Sequence, residues 1–370
     1  MDLHLQTMKS FLNVQSQLVS KSISGRQITL ATIQSFIEQF PSTEIGRSVE
    51  KRPIFEITMG SGPIKILMWS QMHGNESTST KGLLDVLSYL RQSPNILSSF
   101  TLRIIPMLNP DGANAYTRVN AAQVDLNRDA LNQSQPEMKV LNNIYKTFQP
   151  DYCFNLHDQR TIFGVDSHPC MLSFLAPAAN EEKAITAARA RAMGVIGYIN
   201  KALQCHIPHQ VGRYDDSFNK NCTGDFFTSL GTPTLLFECG QVGTDYGREN
   251  TRKWFGFSLL KALESIAEDR FELDIYAAIP AVEKSFVDVL LKNISYQDHT
   301  TDIALQYIEK PQNGRIFFHP VVADIGDLHV LKGHNTLDLS AQTLPIEKEI
   351  NKGDDALWLA ELLNLTQYSH

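Results

Sequence analysis

What most constrains the fold of this chain is an alternation along it. Short, almost continuously apolar runs are each followed by a stretch with helical amphipathic period. Residues 64–71 (IKILMWSQ), 101–108, 153–156 (CFNL) and 234–238 (TLLFE) are rich in strand-forming residues, as strands buried in a central sheet are. Between them, residues 77–90 place Leu83, Leu84, Val86, Leu87 and Leu90 on one helical face behind Ser77 as a candidate cap. Pro136 stands where another helix begins, with Val140, Ile144 and Phe148 continuing its apolar side. Residues 181–203 and 248–266 also read as helices. Such alternation predicts an α/β fold, a mixed central sheet flanked by helices. Residues 52–61 and 64–71, separated by Gly60-Ser61-Gly62-Pro63, predict a hairpin. Asn109-Pro110-Asp111-Gly112 predicts a turn after the strand at 101–108.

The character changes near residue 290. From Thr301 on, strand-like runs (IALQYIE, GRIFFHPVVA, LHVLKG, NTLDLSA) alternate with Gly, Asp and Asn turns. Residues 1–290 therefore read as one α/β unit and residues 291–370 as a small β-rich C-terminal appendage. The net charge of −7 argues against a nucleic-acid partner, which needs a clustered positive surface. No run approaches the ~18 apolar residues of a membrane span, so no membrane partner is expected. The first residues carry neither an apolar core nor a small-residue cleavage site, so no secretory signal is expected. Five scattered cysteines, an odd number without a C-x-x-C pair, speak against a disulfide framework or a thiolate metal site and for a cytoplasmic setting.

The chemistry concentrates at strand ends. Gln71-Met72-His73-Gly74-Asn75-Glu76 follows the apolar run at 64–71, and a His-x-x-Glu pair at a strand-to-helix junction delivers an imidazole and a carboxylate to one ion. A catalytic zinc takes three such ligands and keeps one position open. His157, directly after Phe154-Asn155-Leu156, is the best third ligand. His168, His206, His209, His319, His329 and His334 compete with it, and none follows an equally apolar strand of the central sheet. Glu238 ends another apolar strand, where a carboxylate is costly to bury without a partner or a purpose. It is the candidate general base, taking a proton from water and passing it to a leaving amine.

These residues stand in an order that resembles the zinc carboxypeptidase family, the carboxypeptidase A-like metallopeptidases. His73 and Glu76 are followed by Asn109-Pro110-Asp111-Gly112, Arg118, Asp125-Leu126-Asn127-Arg128, His157 and Phe237-Glu238. The resemblance covers the chain to about residue 270. It implies one zinc ion held by His73, Glu76 and His157, with Glu238 as base and Arg118 stabilising the developing oxyanion. Asn127 and Arg128 would then hold a substrate's terminal carboxylate. On sequence alone, Arg128 pairs equally well with Asp125 or Asp129. Tyr214, in Gly212-Arg213-Tyr214-Asp215-Asp216-Ser217-Phe218, is the tyrosine available to close over substrate, although it precedes Glu238 by slightly more than the family spacing. Thr223-Gly224-Asp225 falls near the specificity pocket, and Asp158 and Arg160 add polar groups near the metal, Arg160 reading as a surface ion-pair partner ahead of a second anion anchor.

The resemblance implies a metallocarboxypeptidase acting on a C-terminal peptide bond. Two alternatives remain open at this stage: a zinc amidohydrolase acting on N-acyl amino acids or cell-wall peptides, and a non-catalytic peptide-binding protein on the same scaffold.

Overall fold

The computed structural model describes residues 3–18, 23–296, 299–340, 349–365 and 367–368. Two helices, α1 (Leu3–Leu18) and α2 (Leu30–Ile37), precede β1 (Ser42–Arg47), β2 (Pro53–Met59) and β3 (Ile64–Ser70). Then come α3 (Thr78–Arg91), α4 (Pro94–Leu97), β4 (Phe100–Ile105), α5 (Pro110–Ala115), α6 (Pro136–Phe148) and β5 (Tyr152–Asp158). They are followed by β6 (Phe163–Val165), β7 (His168–Pro169), β8 (Leu172–Leu175), α7 (Ala187–Leu203), β9 (Val211–Arg213), α8 (Thr223–Ser229), β10 (Thr234–Cys239), α9 (Glu249–Ala267) and α10 (Leu273–Ala277). The C-terminal part holds β11 (Glu283–Lys284), β12 (Phe286–Tyr296), β13 (His299–Gln312), β14 (Arg315–Gly326), β15 (Lys332–Asp338), α11 (Leu357–Leu362) and β16 (Gln367–Tyr368).

Eight strands form the central sheet in the order β1-β2-β4-β3-β5-β10-β8-β9. Its middle, β4-β3-β5-β10, is parallel, while β1, β2 and β8 add antiparallel pairings. The continuously apolar runs became the middle strands because those are covered on both faces. All seven residues of β5 and all six of β10 are buried. One core cluster, with Phe154, Phe174, Phe237 and Phe255, fills the side of α3, α7 and α9. A second, with Trp69, Leu141 and Phe227, fills the side of α6 and α8.

The hairpin expected of residues 52–71 does not form. β4 lies between β2 and β3, antiparallel to one and parallel to the other. The Gly60–Pro63 connection instead packs on the entry to β4. A Cβ on Gly62 would sit 2.2 Å from the Ser99 carbonyl carbon, and the Gly62 amide donates to Phe100 O at 2.9 Å. The turn expected at Asn109–Gly112 is the first turn of α5, capped by Asn109, whose Oδ1 accepts from Gly112 N at 2.8 Å, with Pro110 at the first helical position. The helix expected from 181 begins at Ala187 behind Thr186, whose hydroxyl accepts from Arg189 N.

The second sheet has the order β15-β12-β13-β14-β16 and begins at Phe286, so residues 290 and 291 lie inside its first strand. β12 carries no turn signal or clean alternation that marks its start. Of the LHVLKG run, strand begins only at Lys332. This sheet is pinned to the α/β part at several points. β11 pairs with β6, Phe286 N donates to Ile162 O, and Tyr116, Tyr246, Ile316 and Phe318 share one apolar cluster across the junction.

Candidate metal centre

The parallel strands β3, β5 and β10 all end on one side of the sheet, where open α/β sheets place their sites. β3 stops at Ser70, and Gln71 takes a left-handed backbone (φ 47°) that breaks the strand sharply. Its buried side-chain amide donates to the carbonyls of Ile28 and Gly74 at 2.8 and 2.9 Å, which holds the turn. Gly74 is pressed on α5: a Cβ there would lie 1.9 Å from the Gly112 carbonyl carbon. The Glu76 amide closes the loop on His73 O at 3.1 Å.

Ser77 precedes α3 as expected, but its hydroxyl donates to Arg26 O and caps nothing. The cap comes from β5. The Asp158 carboxylate accepts from Thr78 N at 2.8 Å and Ser79 N at 3.0 Å, satisfying two of the amides a helix start leaves unpaired. It also pairs with buried Arg26 at 3.1 Å. Asp158 thereby locks the loop carrying Glu76 to the strand end carrying His157.

His73, Glu76 and His157 come together. All three are buried, and a nitrogen or oxygen from each lies within 4.8 Å of the others. His73 Nδ1 and His157 Nδ1 are 3.1 Å apart, and each is 2.8 Å from a different oxygen of Glu76. Burial would push the Glu76 carboxyl up, but the two imidazoles outweigh it and hold it well below the carboxylate range. The imidazoles themselves separate. Burial dominates at His157 and lowers it, while Glu76 and Asp125 overcome burial at His73 and raise it. Two Nδ1 atoms this close cannot both carry protons directed at one another. Their lone pairs and the carboxylate converge, which suits a divalent cation in place of that proton. Nitrogen, nitrogen and oxygen donors favour zinc among the common metals.

Around the ligands, Asp125 joins three parts of the site. One of its oxygens accepts from His73 Nε2 at 3.0 Å and from Asn127 N at 2.9 Å, and the other from Arg118 Nε at 3.1 Å. It caps a 3-10 turn, Leu126–Arg128, and orients the first ligand ring. In the sequence Asp158 stands only as a polar group near the metal and Asp125 only as a member of the 125–128 element, with neither capping nor ring-orienting role visible there. The signal for Asp125 was an Asx residue opening a short helical turn.

Arg118 is half exposed and reaches Glu76 at 3.2 Å. Asn127 accepts from Thr223 N at 2.9 Å. Arg128 forms no ion pair with Asp125 or Asp129. Its Nη1 donates to Asn127 O and lies 3.2 Å from Cys222 Sγ, and Asp129 is taken up by Ser134 and Gln135. Asp111 is occupied structurally, accepting from Ser48, Glu50 and Arg52.

Glu238 is the direct register partner of His157 on the neighbouring strand. Its carboxylate has no hydrogen-bond or ion-pair partner among the described residues. Burial, then the charges of Glu76 and Asp158, push it well above the carboxylate range. Tyr214 follows β9, with its ring against Phe163 at 5.5 Å. Asp225, pushed up to about 6 by burial, accepts from Asn219 N. A cavity of about 570 Å³ is lined by every one of His73, Glu76, Arg118, Asn127, Arg128, His157, Tyr214 and Glu238, with Asp225 and Gly224 also in its wall.

A family model described as zinc carboxypeptidase matches residues 13–190. Carboxypeptidase 2 of Trichophyton rubrum is 26% identical over 100 residues, 25% of this chain and 19% of that protein. Carboxypeptidase SOL1 of Arabidopsis thaliana is 32% identical over 120 residues, 26% of this chain and 24% of that protein. These alignments span about a fifth to a quarter of the curated relatives. Among solved structures, a metallo-carboxypeptidase from Pseudomonas aeruginosa aligns with a TM-score of 0.52 at 20% identity, over 65% of this chain and 68% of that one. Bovine thrombin-activatable fibrinolysis inhibitor aligns with a TM-score of 0.51 at 16% identity, over 68% and 100%. The structural likeness establishes the fold. Over residues 13–190, just under half of its length, the chain is similar to the zinc carboxypeptidase family.

Proposed function

We propose that this chain is a zinc-dependent metallocarboxypeptidase, hydrolysing the last peptide bond of a substrate with a free C-terminus. The observation that carries this reading is the meeting, in one 570 Å³ cavity, of a three-ligand cluster, a carboxylate with no cation partner, and Arg118, Asn127 and Arg128. One zinc ion held by His73, Glu76 and His157 would supply Lewis acidity and make water a nucleophile near neutral pH. Glu238 takes a proton on its carboxylate from the attacking water and passes it to the leaving amine nitrogen. Burial without a cation partner makes the Glu238 carboxylate a stronger proton acceptor, and its place in the cavity wall puts it within reach of the leaving amine. Arg118 directs its guanidinium at the carbonyl oxygen as charge develops there. Asn127 and Arg128 hold the terminal carboxylate, and Arg128 is suited to this by having no protein carboxylate of its own. Tyr214 lines the same cavity, and its phenol is assigned to closing over the bound residue.

The catalytic unit runs to the start of the second sheet, near Phe286. The scattered cysteines support a cytoplasmic setting. No described helix is long and apolar enough to cross a membrane. The test is mass spectrometry of free-ended peptides and N-acyl amino acids incubated with the zinc-loaded protein and with Glu238→Gln. Release of single C-terminal residues by the first and not the second is expected. Equal release by both would overturn the assignment of Glu238.

A further inference from the structure

A second cavity, of about 320 Å³, opens off the first and shares Glu76, Arg118, Asp158, Gln159 and Arg160 with it. Asn127 and Arg128 line only the first cavity, while Gln306, Tyr307, Glu309 and Phe318 of the second sheet line only the second. A substrate whose carboxylate rests on Arg128 and whose scissile carbonyl faces Arg118 therefore extends its N-terminal side past Arg160 towards β13 and β14. That wall is firmly anchored. Glu309 pairs with Arg26 at 3.3 Å and accepts from the Tyr116 hydroxyl. Asp288 accepts from Tyr246, Thr161, Gln306 and the Tyr307 amide. His334 Nε2 donates to Thr161 O at 2.7 Å.

The charges lining this cavity are nearly all spent. Arg26 is paired with Asp158 and Glu309, and Arg118 with Glu76 and Asp125. Arg248 donates to the carbonyls of Gln159 and Cys239, and the four donors to Asp288 are those above. Among the described lining residues, Arg160 alone carries a charge with no hydrogen-bond or ion-pair partner. It sits where the two cavities join, and the surface ion pair expected for it is absent among the described residues.

We propose that the β-rich region closes the cleft beyond the scissile bond into a short acceptor pocket, and that Arg160 reads a carboxylate on the group it holds. This rests on the hydrolase reading above and narrows its substrate class. Substrates would have one or two residues, or a dicarboxylic acyl group, N-terminal to the scissile bond. A volume of about 320 Å³ is at the small end of ligand pockets, which run roughly 300–1,000 Å³.

The test is a substrate series sharing one C-terminal residue. N-acetyl, N-succinyl, Ala, Asp and Lys are placed before the scissile bond, and the Asp member is extended by alanines to eight residues. kcat/KM is measured with the zinc-loaded full chain, and equilibrium binding of the same series is measured on Glu238→Gln. Expected are a preference of about tenfold or more for succinyl over acetyl and for Asp over Lys, as suits a charge-assisted hydrogen bond, and a steep fall beyond two residues. Arg160→Gln should collapse the anionic-to-neutral ratio, and Arg160→Lys should restore part of it. Efficiency that stays flat or rises to eight residues, or an acid preference that survives Arg160→Gln, overturns the inference while the hydrolase stands. Absent turnover with the same binding ranking would refute the hydrolase reading and leave the acceptor pocket in place.

Discussion

Asp125→Asn is the most informative single change at the metal centre. The substitution keeps the shape and leaves a neutral oxygen able to accept from His73 Nε2 and Asn127 N, but it removes the charge. In the native protein His73, together with Arg118, overcomes the burial that would raise Asp125 and holds its carboxyl well below its usual range, a measure of how strongly the charge is used. A hydrogen bond to a charged acceptor contributes about 1.5–3 kcal/mol and a neutral one about 1. Losing the difference, about 1–1.5 kcal/mol, corresponds to roughly a tenfold loss of zinc affinity, at the lower edge of the 10–100-fold typical for partners of a ligating imidazole. Competition against a chromogenic chelator at fixed pH reads this directly, and a melting curve of the metal-free protein controls for folding. Affinity within about twofold of wild type, with an unchanged melting temperature, would refute the idea that Asp125 sets the first ligand.

Glu238→Gln should lower kcat by about 10²–10⁴-fold and leave zinc affinity within a few-fold, measured by turnover and by the same chelator competition. Zinc binding should release protons, and affinity should fall on acidification, because a proton on His73 competes for the same nitrogen. Since His73 is raised above 6.5, the fall should begin above that pH, seen as pH change on titrating zinc into weakly buffered protein. Gly74→Ala places a methyl 1.9 Å from α5 backbone and should destabilise by about 3 kcal/mol or more, read as a lowered melting temperature with lost metal binding. His334 is depressed to about 4, first by burial, so the folded state favours its neutral form. Its contribution to stability is complete above pH 6.5 and is lost as pH falls towards 4, roughly 3 kcal/mol at most. Denaturant midpoints should therefore drop over that window in wild type and less in His334→Gln.

Much of the site was legible because its residues sit where local sequence already speaks. His73, His157 and Glu238 each terminate or follow a continuously apolar run, and a polar group at such a point has few reasons to be there. The supporting residues were harder to see. Asp158 acts on α3 from 80 residues away, and Asp125 reaches His73 across 52, so neither has a local pattern that names its partner. Ser77 shows the converse: it stood in the right place for a cap, but a nearby carboxylate with full charge took the amides instead.

Hydrophobic period alone marked the buried strands β3, β4, β5 and β10 and the helices α3, α6, α7 and α9, because a run covered on both faces must be apolar throughout and an amphipathic helix must not be. It also determined which side chains sit at the strand ends. Strand order was beyond it. β2 and β3 are neighbours in sequence yet separated by β4, since pairing depends on contacts between distant segments and not on the turn that joins two strands. The tertiary structure likewise decided that three parallel strands end on one edge, bringing His73, His157 and Glu238 together. It also placed β13 and β14 against the far side of that edge. A periodic pattern records how each segment meets an apolar or aqueous surround, and holds no record of which other segment supplies it.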